Sequence, residues 1–425
     1  MLVTLRQRNF ALLWFGALIS QIGDWLMSIG LPVYVYMLTG SALQTSLMLI
    51  ISYVPGLVLG SFAGVMVDRW DRRQTMLICN LLMALDLLPL LAAHTQATLW
   101  IVYVVQFVGA CVFQLVLPAE NALIPQLVGE DHLVSANSLS SISQNTARLL
   151  GGALGGLCIG LVGLTGVTLI DGATFLFVCV MLLFIRVPTR PATSALPTTT
   201  TTTMASAIQH FMQDWLEGMR TIVQRRTLAV LFTMFALQSI GEGVFGVLLI
   251  VFVEKVLGYG SLIYGSLMSF QAVGNIAGGL LLGQLGKRLI PARMLGLCAT
   301  VFGLIDLLII DIHLFLPGLF LFFFLFVLVG IPGTGMMVSA FSLLQSEVED
   351  TLRGRIFGAY MTVRALMTLI GMALAGALGD RLGATLMLNI QGGVYALSGL
   401  FVLVALRSVV PRKQPASQET SELMV

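Results

Sequence analysis

Gly64-Val65-Met66-Val67-Asp68-Arg69-Trp70-Asp71-Arg72-Arg73 is the stretch that decides the fold. Before it an apolar run extends from about residue 43 to 67, and after it another runs from about 74 to 94. Either run is long enough to cross a bilayer as a helix, which takes roughly 20 apolar residues. The three arginines and two aspartates between them cannot enter hydrocarbon, so the stretch reads as a tight loop joining two antiparallel membrane helices. Arginine-rich loops stay on the cytoplasmic side, and the loop therefore also orients the chain.

The same pattern continues in both directions. The 425 residues are 57% hydrophobic and only 10% charged, with a mean hydropathy of +0.96. A soluble domain carries about 25% charged residues. An ordinary cytosolic enzyme and a disordered chain are both excluded. Twelve spans are expected, near 9–38, 43–67, 74–94, 98–124, 135–163, 164–186, 227–253, 261–285, 292–314, 316–344, 355–379 and 383–407. The first run is far longer than the 7–15-residue core of a signal peptide and lacks a small-residue cleavage site, so it reads as a retained span. Of the 22 lysines and arginines, only Arg148 and Arg364 lie deep inside spans, the others falling at or beyond span ends. With the N-terminus cytoplasmic, the outer segments hold just Lys255 and Arg381. That bias predicts both termini in the cytoplasm. The five cysteines, Cys79, Cys111, Cys158, Cys179 and Cys298, sit in apolar runs with no paired spacing and read as packing residues. The four histidines form no ligand cluster, so neither metal nor cofactor is expected.

One long polar segment divides the chain. Pro188, Pro191, Pro197 and the run Thr198–Thr203 form a linker without a core. From Ala205 to Arg226 apolar residues recur at helical spacing among Asp214, Glu217, Arg220 and Arg225, as in an amphipathic helix on the cytoplasmic membrane face. The expected organisation is a six-helix bundle over 1–187, a linker over 188–226, a second bundle over 227–408 and a tail over 409–425. The halves repeat. Ile22-Gly23-Asp24 matches Ile240-Gly241-Glu242, Gly64-x3-Asp68-Arg69 matches Gly283-x3-Lys287-Arg288, and Asp86-Leu87-Leu88 matches Asp306-Leu307-Leu308. Arg148 matches Arg364 and Asp171 matches Asn389, all at nearly one offset. Two six-helix repeats with a path between them are a secondary-transporter architecture. The fold class expected is all-α integral membrane, twelve helices in two pseudo-symmetric six-helix bundles.

The Gly64–Arg73 loop resembles the G-x-x-x-D-R-x-x-R-R signature of the major facilitator superfamily, and with the six-plus-six layout the resemblance covers the whole chain. Finer features resemble its macrolide-efflux-type branch of drug:proton antiporters. They are Gln21-Ile22-Gly23-Asp24-Trp25, Leu38-Thr39-Gly40-Ser41, the stretch from Pro118 to Pro125, and Ala136-Asn137-Ser138-Leu139. The stretch Ala147-Arg148-Leu149-Leu150-Gly151-Gly152-Ala153-Leu154-Gly155-Gly156 resembles the antiporter motif of exporters, with Gly152 where that motif usually has proline. Siderophore exporters of the branch are similar. The resemblance implies a bacterial inner-membrane exporter of an amphipathic or hydrophobic small molecule, exchanged for protons. It also implies no enzymatic activity, no nucleic-acid partner and a monomer in the lipid bilayer. A proton-coupled importer or uniporter, or a lipid-handling or sensing protein on the same fold, is the alternative.

Residues that could carry chemistry are the rare polar ones in spans. Asp24 and Glu242 lie deep in spans one and seven, where an unpaired charge costs roughly 2.5–3.5 kcal/mol. Each needs a partner, a proton or a water-filled cavity. A hydrogen bond to a neighbouring helix would be structural, whereas proton binding coupled to transport or pairing with a cationic cargo would be functional. Gln21 and Gln238 stand about one turn before them and could share a hydrogen bond. Arg148 and Arg364 could snorkel, pair with a carboxylate or contact substrate. Gly64, Asp68, Arg69, Arg72 and Arg73 either set topology or form a latch: Asp68 could cap the start of span eleven near Gly354–Gly358, while Arg72 or Arg73 reaches Glu120. Asp86 and Asp306 are expected in structural pairs, and Asp171 is expected near the outer face in contact with water. Gly151, Gly152, Gly155 and Gly156 are expected to let helices approach closely.

Overall fold

The computed structural model describes residues 2–68, 70–129, 132–186, 216–285, 290–315, 318–348 and 350–407. All regular structure among them is helical. The first half contains α1 (Arg8–Thr39), α2 (Ala42–Asp68), α3 (Arg72–Asp86) and α4 (Leu99–Val128), followed by a single run, Leu133–Phe184. The second contains α7 (Arg226–Val251), α8 (Ser261–Leu285), α9 (Pro291–Asp311), α10 (Leu319–Glu347), α11 (Asp350–Leu382) and α12 (Ala384–Ala405).

Among the described residues 11 helices qualify by length and composition as membrane spans. The difference from twelve lies within Leu133–Phe184, whose 52 residues would make a straight helix about 78 Å long. Gly163 breaks it with φ 64° and ψ −170°. The contacts of α1 show what happens there. Ile22 and Trp25 meet Gly151 and Ile29 meets Gly155, whereas Gly16 meets Met181 and Gly23 meets Asp171 and Thr174. Numbers rise along α1 on one leg and fall on the other, so the chain reverses at Gly163. The legs, 133–162 and 164–184, are α5 and α6, so the described residues form twelve long helices.

The end of the molecule where α1 begins is the basal end here, and the opposite end is distal. At the distal end one apolar core is shared by both halves, with Leu31, Val35 and Met48 beside Val247, Leu248 and Met372. At the basal end the core divides in two. Phe10, Leu123, Ala136 and Leu182 belong to the first half, and Leu231, Leu295, Leu344 and Ile356 to the second. Among the described residues the halves thus share a core distally and have separate cores basally.

The Pro188–Thr203 linker and the first part of the amphipathic segment lie outside the described residues. Residues 216–224 are helical and dock on the second half. Ile222 enters its basal core, and Glu217 pairs with Arg355 at 2.8 Å. Of its apolar residues Leu216 and Val223 are exposed, while Met219 and Ile222 pack on the second half.

Candidate functional site

Between the halves, near mid-membrane, Glu242 of α7 and Arg364 of α11 form a two-pronged ion pair. The Arg364 guanidinium donates to the Glu242 carboxylate at 2.7 and 3.3 Å. Their side chains are 46% and 45% exposed, and Arg148 of the first half lies within electrostatic reach of both. Tyr53 of α2, across the gap, lies within electrostatic reach of both. Two glycines permit the pair. Gly243 lies against the α11 backbone at Thr368 and Met372, and Gly371 lies against the Ile240 carbonyl of α7. A Cβ at either position would collide with backbone, so glycine sets the distance that lets the arginine reach.

The matching residues of the first half do not pair. Arg148 of α5 lies over the Trp25 ring, 5.6 Å from its centroid, is exposed, and is within electrostatic reach of Glu242 and Arg364. Asp24 is half-buried and has Asp171 and Glu120 as its charged neighbours. Among the described residues no cation bonds to it. Glu120 lines a cavity of about 10 Å³ with Trp14, Gln21 and Ser143, room for about one water.

Several expectations are corrected by these positions. Asp171 is 2% exposed, because α6 lays it across Gly23 with Thr174 at its side; it is not solvated at the outer face. The residue opposite it in the second half is Gln391, which packs on Gly241, whereas Asn389 donates to Asp311 at 2.8 Å. Neither glutamine bonds the carboxylate one turn on. Gln21 accepts from Ser143 at 3.5 Å, and the buried Nε2 of Gln238 has no partner. Asp306 accepts from Gln391 at 3.0 Å, a structural pair as expected.

In the signature loop, Asp71 caps α3 by accepting from the Gln74 N–H at 2.8 Å. Arg73 donates to the carbonyls of Leu182 and Leu183 at 2.7 and 3.0 Å, placing a cation at the C-terminus of α6, where the helix dipole favours it. Gly64 lies in the last turns of α2. The side chain of Asp68, together with Arg69 and Arg353, lies outside the described residues. Arg73 thus binds its own half in this conformation and does not reach Glu120.

The contacts joining the halves are distal. Asp380 at the end of α11 accepts from the Ala42 N–H and the Ser41 hydroxyl, both at 3.2 Å, at the start of α2. Ser46 donates to the Met372 carbonyl at 2.6 Å. On the other side α5 meets α8 through glycines, with Gly156 on Ser261 and Gly265 and Gly152 on Ser269. Gly151 and Gly155 face α1 instead. The four-glycine stretch therefore serves two interfaces, one within its half and one between halves. Sequence reading missed Tyr53 and Asp380. A tyrosine in an apolar span and an aspartate at a helix end, opposite the Ser41-Ala42 start of another, were the available signals.

Comparison with known proteins agrees with this architecture. The family model described as Major Facilitator Superfamily matches residues 13–371 and 231–423. The uncharacterized MFS-type transporter YfiS of Bacillus subtilis is 27% identical over 96% of this chain and 95% of its own. Macrolide efflux protein A of Streptococcus pyogenes is 24% identical over 88% of this chain and 90% of its own. Among solved structures, the nucleoside transporter NupG superposes with a TM-score of 0.74 at 12% identity, covering 94% of this chain and 100% of that one. A bacterial homologue of the iron transporter ferroportin, in its inward-facing state, gives 0.72 at 15% identity, with 94% and 98% covered.

Proposed function

The chain belongs to the major facilitator superfamily, and from that premise we propose that it is a proton-driven exporter of amphipathic or hydrophobic small molecules. The observation that carries this reading is the half-exposed Glu242–Arg364 pair between two halves whose contacts, among the described residues, gather at the distal end. A cavity with charged walls at mid-membrane, open basally, is one stage of alternating access. The similarity to macrolide efflux protein A favours export, with drug-like, macrolide-like and siderophore-like molecules as the cargo range.

The basal end is cytoplasmic in this reading, in a bacterial plasma membrane, because the loops there carry the arginines. The bundles of residues 1–187 and 227–408 rock about the midplane as the distal contacts open. The basal latch from Asp68 to the start of α11 then closes. Asp24 carries the coupling proton: among the described residues it has no cation partner, so it can bind and release a proton without breaking an ion pair. Glu242, Arg364, Arg148 and the two glutamines line or support the cargo path.

Purified protein in liposomes with an imposed pH gradient tests the reading. Uphill accumulation of a labelled drug-like or siderophore-like cargo, abolished by a protonophore, is the expected result; movement that ignores the gradient would overturn proton coupling. A reporter fused after Thr200 should score cytoplasmic and one at Tyr259 external, and the reverse would invert the orientation.

A further inference from the structure

We propose that the central site takes an amphipathic anion, a carboxylate or sulfonate on an apolar body, and that Arg148 receives the charged head. The inference rests on the transport reading above, since it names the cargo class of the same site.

It follows from which charged groups face the gap. Asp24 has Asp171 and Glu120 for charged neighbours, within the first half. Asp171 is buried against Gly23, and Glu120 lines the one-water cavity between α1, α4 and α5. What remains toward the gap, among the described residues, is Glu242, Arg364 and Arg148. The first two neutralise each other through two hydrogen bonds. Arg148 is exposed, held by the Trp25 ring, and bonded to no carboxylate. The gap therefore carries one net positive charge at membrane depth.

A lone guanidinium at that depth is costly, and an aromatic face offsets only part of the cost. An incoming carboxylate or sulfonate meets the planar fork with two charge-assisted hydrogen bonds while its apolar body lies against Trp25 and Tyr53. A cationic amphiphile meets the opposite field. To gain a carboxylate it must take Glu242 from Arg364, leaving two arginines unpaired.

The test uses the full chain in nanodiscs of phosphatidylcholine and two dansyl probes that differ only in ending in a sulfonate or a trimethylammonium. Equilibrium dialysis should show the sulfonate binding at least about tenfold more tightly, the order expected of one charge-assisted recognition. Arg148→Gln should remove most of that preference, and Arg148→Lys should keep part of it, because charge survives without the fork. Equal binding, tighter binding of the cation, or a preference unchanged in Arg148→Gln would overturn the inference. Uptake of the same probes into proteoliposomes separates the two readings. A sulfonate that is bound but never moved overturns transport and leaves the charge preference standing; transport of the ammonium probe alone does the reverse.

Discussion

Asp24 and Glu242 stand at matching depth in α1 and α7, and each has an arginine four helices further on, yet only the second-half pair closes. The residue after each carboxyl explains the difference. Gly243 follows Glu242 and lets the α11 backbone settle against α7, which brings Arg364 within 2.7 Å of the carboxylate. Trp25 follows Asp24, and its ring takes the guanidinium of Arg148 instead. The second half thus holds a neutral clamp, whereas in the first half the arginine lies on an aromatic ring and the carboxyl has only other carboxyls as charged neighbours. Duplication supplied two copies of one device, and the side chain at this position gave them different work.

The difference can be broken most severely through the carboxyls. Asp24→Asn should abolish uphill cargo movement under a pH gradient and leave downhill exchange of labelled cargo near the wild-type rate. Glu242→Gln should lower both, since it strands Arg364. Uphill transport at wild-type rates in both variants would show that neither carboxyl couples. Stability should then separate the arginines. Arg364→Met leaves Glu242 without its partner and should cost about 1–2 kcal/mol, well below the 3–5 typical of fully buried pairs because both side chains are half exposed. Arg148→Met forfeits a contact with an aromatic face and should cost about 0.5–1 kcal/mol. Chemical denaturation of the two variants in matched detergent reads the contrast; equal costs would mean that the pair is no tighter than the stack.

Smaller effects are expected at the gates. Asp380→Asn keeps an acceptor near α2 but removes the charge that favours a helix N-terminus, which is worth about 0.3–1 kcal/mol. Distances between spin labels on the distal ends of α2 and α11 should show the distal-open population rising roughly two- to fivefold. Asp68→Asn should shift the same distribution the other way and slow transport, with cargo affinity nearly unchanged. Identical shifts in both variants would argue against gates that work in opposition.

Much of this was legible in the chain itself. Hydropathy placed the spans within a few residues of the helices, and the polar repeat singled out Asp24, Glu242, Arg148 and Arg364, of which Glu242 and Arg364 form an ion pair. Depth along a helix can be counted from sequence; rotation about its axis cannot. That is why Asp171 was assigned to water when α6 turns it onto Gly23, and why nothing in the sequence told that Arg148 lies on Trp25. Contacts between halves were harder still. Asp380 meets Ala42 from 338 positions away, and only the packing of α2 against α11 brings them together.

The reversal at Gly163 bears on how the protein is made. Leu161 and Val162 beside it are 74% and 49% exposed, and no charged or amide side chain lies between Arg148 and Asp171. No hydrophilic loop separates the two legs, so there is nothing for the insertion machinery to push through into water between them. The legs must enter the bilayer together as a hairpin, the first held until the second has been synthesised. A chain that stalls in translation just beyond Gly163 would leave a lone leg whose Gly156 surface has lost its partners in the second half, and such a chain should be cleared by proteolysis before the rest could join it.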